Sequence, residues 1–216
     1  MPHWTHINLA EIENISDLQV ALDLGAVSAV SILEMCQGRG LEFRAHPLGF
    51  ISCAIFIEGH RKARLHIWPF WEGVSQGEGV AIHDHVFDFT SWVLSGEVIN
   101  KLLYVDEGGR AHSVYDASYL GESSILIKRD ENINIIEGGS FRFSAGGRYS
   151  MCAGQLHETK AVGAGITVTV LITNDVSSHS PLVIGPLSGP ERYEYCRKVI
   201  SSEELAEIIS CLEVVL

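Results

Sequence analysis

From Phe43 onward the chain divides into short runs rich in β-branched and aromatic residues, each ended by turn-forming residues. Phe50 to Ile57 and Ala63 to Trp68 flank Glu58-Gly59-His60-Arg61, which reads as a hairpin. Further runs follow at Ala81 to Leu94, Val98 to Val105, His112 to Tyr115, Ser124 to Lys128, Ile133 to Glu137, Phe141 to Phe143, Tyr149 to Cys152 and Ile166 to Thr173. Gly108-Gly109, Gly138-Gly139, Gly146-Gly147 and Gly163-Ala-Gly165 are the expected turns between them, because positive φ is cheap only for glycine. Many short strands with regularly spaced turns predict a mainly β fold, a sandwich or barrel.

Helical spacing flanks this region. Leu9, Ile12, Ile15, Leu18, Leu22, Val27, Val30 and Leu33 place one or two helices over about 9–36, with Ser16 or Asp17 able to cap a first turn. After a Ser/Pro/Gly stretch at 177–190, Glu191 to Ile200 and Ser202 to Leu212 again have helical spacing, and Ser201-Ser-Glu-Glu204 has the pattern of a capping box. Neither tail is long enough to be a domain. A single domain over 1–216 is expected, with a barrel at about 43–174 and helices at 9–36 and 190–212 packed outside it.

Charge narrows the function. With 27 acidic and 15 basic residues the net charge is −12, which argues against a sequence-independent grip on nucleic acid or on an anionic membrane surface. A small-molecule partner is expected instead. Five cysteines, an odd number without a CxxC pair, fit neither a disulfide framework nor a zinc knuckle and suit a reducing cytoplasm. Met1-Pro-His-Trp-Thr-His lacks the character of a signal peptide, and no apolar run approaches the roughly 18 to 20 residues of a membrane helix, so a cytoplasmic protein is expected.

Chemistry concentrates in Gly77-Glu-Gly-Val-Ala-Ile-His83-Asp-His85-Val-Phe-Asp-Phe-Thr-Ser-Trp-Val-Leu-Ser-Gly96. Residues two apart on a strand share a face, so His83 and His85 can present two imidazoles to one point. With 10 histidines in the chain, a chance HxH is expected about 0.5 times, but requiring glycines at both flanks cuts that about a hundredfold. A second stretch, Gly146-Gly-Arg-Tyr-Ser-Met-Cys152-Ala-Gly154-Gln-Leu-His157, brings a third histidine. The alternative for each is a strand histidine satisfied by hydrogen bonds, with His157 the weakest of the three when taken alone.

Together these stretches resemble the two motifs of the cupin superfamily, whose first reads G-x5-H-x-H-x3,4-E-x6-G and whose second reads G-x5-P-x-G-x2-H-x3-N. Gly77, His83, His85 and Gly96 fall on the first, and Gly146, Gly154 and His157 on the second, within a resemblance covering about 48–174. It implies a jelly-roll (double-stranded β-helix) barrel with three of the four family metal ligands. Phe89 or Thr90 stands where the family glutamate falls, Cys152 replaces the proline and Ala161 the asparagine. Asp88 is one residue short of the glutamate slot and on a regular strand points away, so it becomes a ligand only if the strand is bulged. A site of three histidines without a carboxylate is similar to that of the cysteine dioxygenase (thiol dioxygenase) branch, which implies Fe(II) and a dioxygenase reaction on a small polar or amino-acid-like substrate, a thiol or carboxylate among them. Thr90 stands where that branch has a cross-linking cysteine, and Ile166 to Asn174 holds no tyrosine, so the resemblance bears on the metal more than on the substrate.

Imidazole ligands also suit zinc, nickel, manganese or copper, and three of them leave open positions for a bidentate substrate and dioxygen. Arg64, His66 and Trp68 alternate on one strand and either face the pocket or lie on an outer sheet face. Arg142 and Tyr149 flank the second motif as further candidate substrate contacts, with Arg148 beside them and Arg44 upstream. Cys152 reads as a small buried hydrophobe. A homodimer is compatible with exposed sheet edges. The expected enzyme is a non-haem iron oxygenase; the alternatives are a cupin isomerase, lyase or cyclase using the metal as Lewis acid, and a non-catalytic ligand-binding barrel.

Overall fold

The computed structural model describes residues 9–69, 79–120 and 122–213. Helix α1 (Ile15–Asp23) is capped by Asn14, whose side chain accepts from the Asp17 amide, rather than by Ser16 or Asp17. Helix α2 (Ala29–Gly38) begins at a capping box formed by Ser28 and Ser31. Then come β1 (Phe43–Ala45), β2 (Ile51–Glu58), β3 (Arg61–Trp68), β4 (Ile82–His83), β5 (Phe87–Ser95), β6 (Glu97–Leu120), β7 (Ser123–Ser144), β8 (Arg148–Met151), β9 (His157–Ala161), β10 (Thr167–Asp175), β11 (Leu182–Gly185) and β12 (Arg192–Cys196), and the chain closes with α3 (Ser202–Glu213).

The strands form two six-stranded antiparallel sheets in the orders β1-β2-β3-β10-β5-β8 and β11-β4-β9-β6-β7-β12. Within them, β3-β10-β5-β8 opposes β4-β9-β6-β7, and the chain changes sheet at nearly every connection. That is the strand order of an eight-stranded jelly roll. The expected mainly β barrel with helices outside it is therefore the observed architecture. Parity assigns the faces. Cys53, Ile55, Ala63, Leu65, Ile67, Val168, Val170 and Ile172 are buried against the apolar faces of α1, α2 and α3, including Ile15, Leu18, Ile32, Leu33, Leu205 and Ile208. The alternate residues of the same strands, among them Ser52, Arg64, His66 and Leu171, face the barrel interior.

Three local expectations need correction. Gly108-Gly109 and Gly138-Gly139 are not turns: both lie inside the ribbon of β6 and β7, 24 and 22 residues long, whose register shifts between Lys101 and Leu103 and between Val105 and Arg110 absorb them. A Cβ on Gly109 would stand 2.5 Å from the Ile135 carbonyl carbon, so glycine is there for close backbone approach. The stretch 191–200 is not helical. Arg192-Tyr-Glu-Tyr-Cys alternates, leaving Arg192, Glu194 and Cys196 exposed and stacking Tyr193 on Tyr195 at 5.9 Å, and this period of two makes it β12 on the edge of β7. The capping box at α3 forms as expected: the Ser201 amide donates to Glu204 at 2.8 Å and the Glu204 amide to Ser201 Oγ at 3.2 Å.

Candidate metal centre

Pairing of β4 with β9 builds the site. His83 and His157 are direct cross-strand partners, so their side chains leave the sheet on the same face. His85 follows two residues later, where the chain turns from β4 into β5. That turn is fixed twice: Asp84 exchanges hydrogen bonds with the Leu182 backbone, its amide donating at 3.0 Å and its Oδ1 accepting at 2.6 Å, and the His85 carbonyl accepts from the Gly154 amide at 2.9 Å. The second of these joins the two sequence motifs. Gly96 closes β5 at φ +69, where a Cβ would lie 2.8 Å from Thr167 Cα. Gly77, the remaining glycine of the first motif, lies outside the described residues.

The three ring centroids stand 4.5 to 5.0 Å apart, and one ligand atom from each histidine lies within 4.8 Å of the others. His83 Nδ1 and His157 Nδ1 each sit 2.9 Å from a backbone carbonyl, of Ala81 and Gln155. A carbonyl can only accept, so each Nδ1 carries the proton and each Nε2 keeps its lone pair for a ligand. Burial, first among the causes, lowers all three below the usual imidazole range, His157 to about 3 with help from the His83 charge. Neutral imidazoles with converging lone pairs are what a divalent transition metal requires.

No carboxylate joins this cluster among the described residues. Phe89 is buried beside it, edge-on to His85 at 5.5 Å and 6.2 Å from His157, in the place the resemblance gives to glutamate. Thr90 points the other way and bonds Ser150 at 2.8 Å. Asp88 is exposed, its Oδ1 accepting from the Ala153 amide at 2.8 Å, and the pairing of β5 with β10 runs without a shift from Asp88 through Phe89. The bulge that would have made Asp88 a ligand is absent there.

Of the candidate substrate contacts, the structure brings Arg64 and His66 to a cavity of about 430 Å³ that His83 and His85 also line. Trp68 packs beside them against Phe50. Tyr149 is buried in an apolar cluster with Phe89 and Phe143 and does not line that cavity. Arg142 is exposed and paired with Glu97; Arg148 pairs with Asp23 at 2.5 Å, and Arg44 binds Glu42 and the Arg197 carbonyl. None of these three lines the cavity: β7 and β8 present Arg142 and Arg148 outward, while Arg44, on the same face as its β2 partner Ser52, is engaged by its carboxylate and carbonyl partners. Cys152 is exposed.

Sequence reasoning passed over Arg197, Lys62, His46 and Tyr119, which also line the cavity. Arg197 was legible in principle: read as a strand, Tyr193, Tyr195 and Arg197 share one face. His46 stacks on Phe50 at 4.1 Å, and Phe50 on His66 at 4.4 Å, giving one wall of the cavity a ladder of rings.

No protein-family model matches the chain, and no curated protein does. Similar solved structures include a cupin superfamily protein from Desulfitobacterium hafniense (14% identity, TM-score 0.33, covering 59% of this chain and 78% of that one). A DMSP lyase from Ruegeria pomeroyi has 13% identity and a TM-score of 0.40, over 68% and 63% of the two chains. An oxalate decarboxylase from Lactobacillus farciminis has 12% identity and a TM-score of 0.36, over 65% and 32%. The chain thus spans less than two thirds of the lyase and about a third of the decarboxylase. The assignment of the fold rests on the strand order and the site on its own geometry: a jelly-roll barrel that gathers three histidines into one possible metal site.

Proposed function

We propose that the protein is a metal-dependent enzyme, a non-haem Fe(II) oxygenase acting on a small polar molecule held in the cavity beside His83, His85 and His157. The observation that carries this reading is the convergence of three neutral imidazoles on one point with Phe89, not a carboxylate, at the fourth position. Bound there, iron would supply about three open positions together with the redox capacity that dioxygen chemistry needs. The chain supplies the rest. His83 and His157 are held in orientation by the carbonyls of Ala81 and Gln155, and the Asp84 bonds to Leu182 keep His85 in register with them. His66, buried and neutral, is a hydrogen-bonding group on the cavity wall, and Phe50, Phe87 and Leu171 keep water from the apolar part of a ligand.

Metal analysis of protein purified without a histidine tag, followed by anaerobic addition of Fe(II) and then of oxygen with candidate small polar acids and thiols, tests the reading. Substrate-dependent oxygen consumption is the expected result. Turnover without oxygen would select a lyase or isomerase, and failure to retain any divalent metal would leave a ligand-binding barrel.

A further inference from the structure

In a chain with a net charge of −12, arginines have ample choice of carboxylates, and Arg44, Arg129, Arg142, Arg148 and Arg192 each take one. Arg129 pairs with Asp116 at 2.7 Å, Arg192 with Glu194 at 2.9 Å and Arg148 with Asp23 at 2.5 Å. In the cavity, Lys62 is likewise taken by Asp175 at 2.6 Å. Arg64 and Arg197 are different. Among the described residues neither has a carboxylate in ion-pair contact. Arg64 Nη1 donates to Thr173 Oγ1 at 3.2 Å, and its guanidinium lies 5.3 Å from the Phe87 ring centre. Arg197 lies 5.6 Å from the centre of Tyr119, and its Nε is buried without a hydrogen-bond partner.

Two guanidiniums in one cavity, short of partners, are costly to fold: each gives up hydration, and they repel one another. Burial is the main influence on Arg64 and lowers it from the ordinary guanidinium value; Asp175 and Tyr119 oppose this, and Arg197 acts in the same direction as burial. Yet both are held in place by aromatic faces, Phe87 and Tyr119, which orient a guanidinium without using its donors. The position is also informative. Phe87 also stacks against His85 at 4.5 Å, so one ring touches both Arg64 and a member of the histidine cluster.

We propose that Arg64 and Arg197 together form a receptor for an oxyanion, so that the molecule acted on at the three-histidine site is a small organic acid whose anionic end lies between the two guanidiniums. The inference rests on the metal-site reading for the other end of that molecule, while the receptor itself is independent of any metal. Unused donors on two planar guanidiniums match the two oxygens of a carboxylate, or three of a phosphate, and Phe50, Leu171 and Val183 suit a short apolar middle. Half of the receptor comes from the residue that follows β12, so the arm after the barrel completes the site.

Calorimetric titration of the full-length protein, metal-free and zinc-loaded, with succinate, inorganic phosphate and uncharged succinamide tests this. Wild-type metal-free protein is expected to bind an anion and not succinamide; whichever of succinate and phosphate binds more tightly identifies the end group. Arg64→Gln and Arg197→Gln should each weaken that affinity about tenfold or more, and Arg197→Lys, which keeps charge but loses the fork, by about threefold to tenfold. Zinc content should be unchanged in all three. His83→Ala should lose zinc yet keep the anion affinity of metal-free wild type, so the receptor and the metal site fail separately. Should Arg64→Gln not fold, Arg197→Gln carries the test, since the Arg197 amide and carbonyl make their bonds to Glu122 and Arg44 without its side chain. Absence of anion binding by the wild type, binding only when zinc is present, or equal affinity in the arginine variants overturns the proposal.

Discussion

At the scale of single residues, His83, His85 and His157 are the ligands of the proposed metal site. Alanine at any one of the three should abolish stoichiometric zinc or iron binding, measured by elemental analysis after gel filtration, while circular dichroism shows the sheet intact. A His83→Ala protein with full metal content would remove the assignment. Phe89 permits a sharper test, because its ring stands 5.5 Å from His85 and 6.2 Å from His157. Phe89→Glu should lower metal-free stability by about 3 kcal/mol, since an aromatic is lost from the core and a carboxylate is buried without a partner. The same variant should bind metal more tightly than wild type and turn over more slowly, one open position having been filled. Tighter binding without loss of activity would mean that the fourth position is not used by substrate or oxygen. His83 and His85 were readable from strand parity, which acts locally, whereas His157 stood out only through the resemblance of its stretch to the second cupin motif. The cationic wall was readable only in part: alternation with His66 and Trp68 favoured Arg64, but Arg197, which it meets only through the pairing of sheets, left no local signal beside it.

At the scale of elements, period two carried most of the information, and glycine misled where it served close contact rather than a turn. The β6–β7 ribbon illustrates this. Gly108-Gly109 looks like a turn between two short strands, but the long pairing from Glu97↔Ser144 to Leu120↔Ser123 continues past it, and Gly109 lies over Ile135. The tail was misread for a related reason. Tyrosines at alternate positions fit a strand as well as they fit a loose helical face, and only the free edge of β7 decides between them. These assignments give contrasting glycine variants. Gly96→Ala must adopt φ near +69 and press on Thr167, so it should lose about 2 to 4 kcal/mol from strain and contact together. Gly109→Ala meets backbone without left-handed strain and should lose about 1 to 3 kcal/mol. Chemical denaturation of the two variants checks both values, and a Gly109→Ala protein as stable as wild type would show that the ribbon opens there.

At the scale of the whole molecule, an acidic protein folds around a cavity whose wall is basic and whose histidines stay neutral. Burial is the leading cause for both His46 and His66; the neighbouring Arg64 and Arg197 act in the same direction, and His66 falls to about 3. Neither is one of the three cluster histidines, so their effect belongs to the barrel. In the unfolded chain both take up protons near pH 6.5, whereas in the folded state they do not until far lower, so the unfolded state binds more protons throughout that window. Stability therefore rises with pH in that window and falls as the solution is acidified from about 6.5. At about 1.4 kcal/mol per pH unit for each proton, the two together should cost about 4 kcal/mol by pH 5. For a chain of this length that corresponds to roughly 8 to 16 °C in melting temperature between pH 7 and pH 5. Scanning calorimetry of the metal-free protein measures the drop, to which the lowered His83, His85 and His157 add, and a His66→Gln variant should show a drop smaller by about 2 kcal/mol, because glutamine keeps a polar group on the wall but cannot take up a proton in the unfolded state. An unchanged drop in that variant would mean that His66 titrates alike in both states and that the basic wall does not hold it neutral.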